Sequence, residues 1–175
     1  MKRVAAIGGS EVFLRHLASI EAAEADRAFC RHGLPHLLDV ARIAWIIDLE
    51  RDLGLDKDVV YAAALLHDLG RSAQYATGEP HDEAGARIAG EILDGLPEGS
   101  RFNPLERGAI LAAVSGHRGE CPEVVERLGA SEPPMREVLS RLIKEADGRS
   151  RACYACGARA ECYWPDERKN LSIDV

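Results

Sequence analysis

The sequence predicts an all-α protein made of one domain. Alanine and leucine are abundant, and the alternation of apolar and polar residues that marks half-buried strands is nearly absent. Glycine and proline occur singly between apolar stretches, where they suit helix ends. A chain of 175 residues can bury one hydrophobic core. We therefore expect a single domain over 1–175, with its core at about 30–150 and a cysteine-containing extension at 151–175.

Capping and helix-breaking residues predict the helix boundaries. Pro35 suits a first helical turn, Gly54 and Gly70 suit helix ends, and Asn103-Pro104 is a cap followed by a first-turn proline. The expected elements are one helix or helix pair at about 11–31 behind a cap at Ser10, then helices at about 35–53, 57–69, 81 to before Pro97, 104–117, 122–129, and 134 into the 150s.

Six potential metal ligands lie on the apolar faces of these predicted helices. His36, for example, is followed at helical spacing by Val40 and Ile47. One buried histidine is usually a satisfied core residue, but several buried imidazoles and carboxylates without partners would be costly. A shared cation relieves that cost, and mixed nitrogen and oxygen donors suit a divalent ion. The six candidates are His36, His67, Asp68, His81, His117 and Asp147.

The order and flanks of three of these motifs resemble the HD superfamily of metal-dependent phosphohydrolases, whose pattern is H…HD…D. His36 is followed by the family's Val-Ala pair, His67-Asp68 lies in Leu-Leu-His-Asp-Leu-Gly-Arg, and Asp147 ends the run Ile-Lys-Glu-Ala-Asp. The resemblance extends from about His36 to Ser150 and implies an HD-domain helical bundle.

His81 and His117 extend the resemblance to the two-metal branch, H…HD…H…H…D, which includes hydrolases of bis-nucleosyl tetraphosphates. It implies a metal-dependent phosphohydrolase that cleaves a nucleotide-like phosphoester or phosphoanhydride with a metal-activated water. The implied cofactors are two divalent ions such as iron or manganese, and Asp68 would bridge them.

Arg71 and Lys144 are the candidate catalytic residues besides the aspartate of the His-Asp motif. Arg71 follows that motif within one helical turn, and a guanidinium pairs well with phosphate oxygens. Lys144 precedes the final aspartate by three residues. A solvated arginine at a helix end and a surface lysine are the ordinary alternatives. Gln74 and Tyr75 lie near enough in sequence to line the same pocket.

Two other histidines are not assigned to the site. His32 lies four residues before His36, but Gly33 and Pro35 interrupt the helical phase, so this spacing does not imply a shared face. His16 lies among apolar residues and is expected to be structural.

The cysteines suggest a separate metal site. Cys153, Cys156 and Cys162 have the spacing C-x2-C-x5-C, which favours metal binding over disulfides in an intracellular chain. The fourth ligand would be Cys30 or Cys121. Such a set would bind structural zinc or a [4Fe–4S] cluster, and the alternative is a set of reduced thiols in the C-terminal tail.

Matched offsets favour Cys30 as the fourth ligand. Cys30 lies six residues before His36, and Cys153 lies six residues after Asp147. If the helices carrying this histidine and this aspartate pack antiparallel at a common ion, the two cysteines lie at the same end of the molecule.

Charge and hydropathy restrict the partners and the location. A formal net charge of −7 without a basic stretch argues against nucleic acid as the main partner, although a small phosphorylated substrate remains compatible. Met1-Lys2-Arg3 is followed by only four apolar residues, and no apolar run is long enough for a membrane span. We expect a cytoplasmic protein without membrane contact and leave a homodimer open.

Two other functions are compatible with the same residues. The first is a mononuclear HD nucleotidase in which His81 and His117 serve the substrate or the core. The second is a non-catalytic HD sensor or interaction module that acts through the cysteine site. The number of bound ions separates the first alternative from a two-metal enzyme, and turnover separates the second.

Overall fold

The computed structural model describes residues 1–116 and 134–173, and over these residues it contains helices and no strands. The all-α prediction is confirmed. The helices are α1 (Lys2–Gly8), α2 (Glu11–Ala23), α3 (Leu34–Arg51), α4 (Lys57–Leu66), α5 (Arg71–Thr77), α6 (His81–Asp94), α7 (Pro104–Gly116) and α8 (Met135–Arg149), with 3₁₀ turns at Glu98–Ser100, Cys153–Ala155 and Asp166–Arg168.

Helix α4 is the central element of the fold. Its residues Val59, Val60 and 62–66 are all buried, so it is apolar around most of its circumference, as expected for a helix inside a bundle. It packs against α1, α3, α7 and α8. The helix ends directly before His67-Asp68, so the polar pair is held at the end of the most buried helix in the described part of the chain.

The predicted caps and ends of the first helices are confirmed. Ser10 Oγ accepts a hydrogen bond from the Phe13 amide at 3.2 Å, which caps α2. Pro35 occupies the first turn of α3. Beyond the end of α3, Asp52 and Gly54 both have positive φ, 50° and 75°, and this left-handed backbone stops the helix.

The first predicted helix is shorter than expected, because α2 ends at Ala23 and not near residue 31. The carboxylate of Glu24 turns inward and accepts hydrogen bonds from the backbone amide and the Nδ1 atom of His32. Arg27 Nε donates to the Cys30 carbonyl at 2.8 Å, and Arg31 Nη2 donates to a carbonyl earlier in the loop. These side chains stabilise residues 24–33 as a loop, and local apolar spacing does not reveal them.

Other predicted boundaries also differ. The third helix ends at Leu66 instead of 69, and a short helix, α5, follows it after Gly70. The last helix stops at Arg149 and does not reach the 150s, contrary to the prediction. The predicted helix at 122–129 and the end of the 104–117 helix lie outside the described residues.

The side-chain amide of Asn170 holds the segment after α8 in place through hydrogen bonds to three backbone carbonyls. Asn170 Nδ2 donates to the carbonyl oxygens of Gly148, Arg149 and Arg151, at 2.8, 3.0 and 2.9 Å. Carbonyls at a helix end lack intrahelical partners, so this side chain caps the C-terminus of α8. The C-terminal extension is therefore attached to the helix that carries Asp147. Within the described residues, every helix is too short or too polar to cross a membrane.

Replacing Gly70 by alanine is expected to destabilise the fold strongly. A Cβ atom there would lie 1.9 Å from the His81 carbonyl oxygen and 2.5 Å from the Gly85 nitrogen, both backbone atoms that cannot rotate away. We expect a loss of about 3 kcal/mol in the free energy of unfolding, measured in urea. Gly108→Ala is the control, because a Cβ atom there meets nothing within 4 Å and should stabilise α7 by about 0.5–1 kcal/mol. Equal stability of the two variants would contradict the close packing of α5 on α6.

Candidate metal centre

Asp68 is fully buried, and four imidazole rings surround its carboxylate. The Nε2 atoms of His67, His36 and His32 lie 3.4, 3.6 and 4.0 Å from Asp68 Oδ2. The Nε2 atom of His81 lies 3.8 Å from the other oxygen, Oδ1. These rings come from the loop before α3, from α3, from the end of α4 and from the start of α6, so the carboxylate is the meeting point of four parts of the fold.

The other nitrogen of each ring, Nδ1, contacts an acceptor. His67 Nδ1 lies 2.7 Å from the Ala64 carbonyl oxygen, which can only accept, so Nδ1 carries the hydrogen. His36 Nδ1 lies 3.2 Å from Ser150 Oγ, and this hydroxyl donates its own hydrogen to the Asp147 carbonyl at 2.7 Å. Ser150 therefore accepts from His36. Both rings thus turn Nε2 toward the centre, which is the nitrogen that a metal ion would bind.

The remaining two rings are oriented in the same way. His32 Nδ1 donates to Glu24, and His81 Nδ1 lies 3.1 Å from the amide oxygen of Gln74. Four Nε2 atoms thus face the oxygens of Asp68. Unprotonated Nε2 atoms and carboxylate oxygens repel each other unless a proton or a metal ion lies between them, and second partners that fix the ring of a metal-binding histidine are typical of metal sites.

Asp147 completes a compact group of four potential ligands. Its Oδ1 atom lies 3.3 Å from His36 Nε2 and 3.9 Å from His67 Nε2. Together with Asp68, one ligand atom from each of these residues lies within 4.8 Å of the others. Donors about 2.1 Å from one ion at tetrahedral or octahedral angles are separated by about 3.0–3.4 Å. The donor set therefore fits a divalent ion after small side-chain movements.

The carboxylates of the site attract positive charge, which a proton or a metal ion can supply. Burial alone would lower the pKa of His36, but the carboxylates of Asp147 and Asp68 outweigh burial and raise it. Burial alone would raise the pKa of Asp147, but the hydrogen bond with His36 and the charge of Arg151 hold it well below its usual value. Asp147 is thus a carboxylate over the whole physiological range.

The other oxygen of Asp68 faces Arg71. Arg71 Nε lies 2.9 Å from Asp68 Oδ1, so the predicted phosphate-binding arginine forms an ion pair with the aspartate. His81 approaches the same oxygen. The described part of the chain thus brings five of the six predicted ligands together, and His117 lies outside it. Lys144 is half-buried on α8, and its catalytic role stays a prediction.

Two residues of the centre were not predicted. Gly33 and Pro35 break the helical phase before His36, so spacing does not place His32 at the site, yet the loop of residues 24–33 folds back and brings it beside Asp68. Glu24 holds it there and also accepts a hydrogen bond from the Tyr75 hydroxyl. Burial would raise the pKa of Glu24, but the bonds from His32 and Tyr75 lower it to about 2. The sequence offered one sign of this contact, because the acidic residue Glu24 lies only eight residues before His32.

Arg151 is the second unpredicted residue. It is 7% exposed, and its Nη2 atom donates to Asp147 Oδ1 and lies 3.3 Å from His36 Nε2. Its position four residues after Asp147 was the available signal, although α8 ends between them. A fixed guanidinium therefore lies directly beside the candidate ligands.

A cavity of about 310 Å³ opens beside the centre. Its lining includes His36, Ser150, the guanidinium-bearing residues Arg31 and Arg151, and the carboxylate-bearing residue Asp39. Lys144 is not part of this lining. The cavity reaches the candidate ligand His36, and its lining carries two guanidinium groups and one carboxylate.

Comparison with known proteins identifies the class. Residues 33–152 match the HD domain model, which is more than half of the chain, so the protein belongs to the HD domain family. HD domains are generally metal-dependent hydrolases. The fold and the His/Asp group agree with that class.

Relatives cover the chain to different extents. An uncharacterized protein of Clostridium beijerinckii is 37% identical over 173 residues, which is 99% of both chains. Ribonuclease Y of Pseudothermotoga lettingae is 30% identical over 131 residues, 67% of this chain and 23% of that protein. Ribonuclease Y of a Sulfurovum species is 30% identical over 127 residues, 67% of this chain and 22% of that protein. No solved structure matches the chain.

Asp68→Asn should abolish tight binding of Mn²⁺. The substitution removes a negatively charged ligand from the centre. Asp94→Asn also removes a carboxylate, but that carboxylate pairs with Arg107 on the surface. Isothermal titration of metal-free protein should show binding in the wild type and in Asp94→Asn and none in Asp68→Asn, with circular dichroism checking that each variant is folded. Undiminished Mn²⁺ affinity in Asp68→Asn would contradict the ligand assignment.

Proposed function

We propose that the protein is a phosphohydrolase that cleaves a phosphoester or phosphoanhydride bond in a small, nucleotide-like substrate. The convergence of imidazole nitrogens and carboxylates beside a cavity with arginines on its wall supports this proposal most directly. Membership of the HD domain family supports the same reaction class.

The proposed metal ligands are His36, His67, Asp68 and Asp147. Two nitrogen and two oxygen donors suit iron, manganese or a similar divalent ion. Such an ion, when bound, activates water at neutral pH and polarises a phosphoryl oxygen. The protein contributes fixed orientation, since Ala64 and Ser150 hold the two rings by their Nδ1 atoms.

The arginines have distinct proposed roles. Arg151 lines the cavity and has several N–H donors, so it would bind a phosphoryl oxygen there while Nη2 stays on Asp147. Arg31 lines the same cavity and would bind a more distant phosphate. Arg71 would fix the orientation of Asp68 through Oδ1. The two arginines outnumber the one lining carboxylate, Asp39, so the cavity would attract an anionic substrate although the chain has a net charge of −7.

A second ion is proposed on the Oδ1 side of Asp68. His81 Nε2 already faces this oxygen, and Gln74 holds the ring in the orientation that a ligand needs. His117 is the proposed further ligand. Arg71 would have to leave Oδ1 for this ion to bind. If Arg71 stays, it acts as a permanent cation in that place and the enzyme is mononuclear.

The metal content distinguishes the two enzymes. We expect about two divalent ions per wild-type chain and about one in His81→Ala, because the substitution removes a donor from only the second position. His16→Ala is the matched control, since His16 contacts Ser72 and not Asp68. Metal analysis after gel filtration measures the content. One ion in both the wild type and His81→Ala would establish the mononuclear alternative.

The substrate class can be tested with one panel. It should contain dinucleoside polyphosphates, nucleoside mono- and triphosphates, and short oligoribonucleotides, because relatives named ribonuclease Y share most of this domain. We expect turnover of the small nucleotides in the presence of Mn²⁺ or Fe²⁺. Binding of metal without turnover of any compound would contradict the enzyme and support a sensor or interaction module.

Arg151→Ala should raise KM for such a substrate by roughly tenfold or more, because a hydrogen bond to a charged group contributes about 1.5–3 kcal/mol. Its Mn²⁺ affinity should not fall, since a positive charge leaves the centre. Arg149→Ala, which removes a neighbouring arginine paired with Glu145, is the control. An unchanged KM in Arg151→Ala would contradict the proposed phosphate contact.

A further inference from the structure

The segment that carries three cysteines is folded into consecutive turns. The Cys156 amide donates to the Cys153 carbonyl at 3.2 Å, the Arg159 amide to Cys156 at 3.3 Å, and the Cys162 amide to Arg159 at 3.4 Å. Each bond joins residues three positions apart and closes a four-residue turn. The three cysteines are therefore held within a short coiled segment, and Asn170 attaches its beginning to the end of α8.

The loop with Cys30 faces this segment. Cys30, Cys153 and Cys156 line the same cavity. A neighbouring depression is lined by Ala28 and Phe29 on the loop and by residues 157, 158 and 161 on the cysteine segment, directly before Cys162. The two stretches of chain thus face each other along their length, with thiols on both sides.

The four thiols are free of disulfides, and Cys153 is buried. Within the described residues, no three cysteine sulfurs lie within 4.8 Å of one another. A tetrahedral zinc site with Zn–S bonds of about 2.3 Å requires sulfurs about 3.8 Å apart. In an iron–sulfur cluster each thiolate binds a different iron, so the sulfurs are farther apart. The sulfurs would therefore have to move closer to bind zinc, whereas a cluster is compatible with a wider spacing.

We propose that Cys30, Cys153, Cys156 and Cys162 bind a [4Fe–4S] cluster at the edge of the metal-centre cavity. The cluster connects the loop of residues 24–33, which carries His32, to the segment that carries Arg151. It holds two walls of the cavity together. Its presence does not depend on the proposed hydrolase activity, because none of the four thiols is a ligand of the His/Asp centre.

The test uses the full chain, produced with added iron and purified without oxygen. We expect about four irons and four acid-labile sulfides per chain beyond the metal of the His/Asp centre, with a broad visible absorption. Cys30→Ser and Cys156→Ser should each lose the sulfide and the absorption. Cys121→Ser is the matched control and should keep both.

Other results would overturn the proposal. Tightly bound zinc without sulfide would establish a mononuclear site, and protein without either would establish reduced thiols. Loss of the cluster in Cys121→Ser with retention in Cys30→Ser would overturn the ligand set. Asp68→Asn should retain sulfide while losing the other metal, so a failure of the cluster and a failure of the hydrolase are distinguishable.

Discussion

The buried carboxylate of Asp68 is the constraint on which this structure depends. A carboxylate removed from water is costly unless positive charge and hydrogen bonds compensate it. Arg71 Nε forms an ion pair with Asp68 Oδ1 at 2.9 Å, and the other oxygen, Oδ2, faces imidazole nitrogens. Those rings come from separate elements of the fold. Their convergence on one carboxylate is stable when positive charge lies between the ring nitrogens and the carboxylate oxygens. The charge balance around Asp68 therefore depends on the packing of several helices against one another.

The fold makes the centre rigid. Helix α4 is buried along most of its surface, and its alanines Ala62, Ala63 and Ala64 let neighbouring helices approach closely. Gly70 then allows α6 to begin against the turn after the motif, which places His81 beside Asp68. Since metal ligands on several elements must be assembled by folding, ion binding and stability are coupled in such a site. We expect the metal-free protein to be the less stable form.

The sequence predicted those features that depend on nearby residues. Caps such as Ser10 and Pro35, and the burial of His36, His67 and His81, follow from helical spacing and were found where expected. His32 and Arg151 were missed because each lies outside a helix, where spacing gives no direction. His32 is placed by Glu24, eight residues away across a loop, and this contact exists only once the loop has folded. The part of the site that could not be predicted is thus the part held by polar contacts between segments outside the helices.

The central claim is that these donors hold a divalent ion, and anomalous diffraction tests it most directly. Crystals of the protein loaded with Mn²⁺ should show an anomalous peak between His36 Nε2, His67 Nε2, Asp68 Oδ2 and Asp147 Oδ1, at about 2.1 Å from each ligand atom. A second peak near His81 is compatible with the account. Fully occupied Mn²⁺ elsewhere, with the four side chains in direct contact and no peak between them, would contradict it.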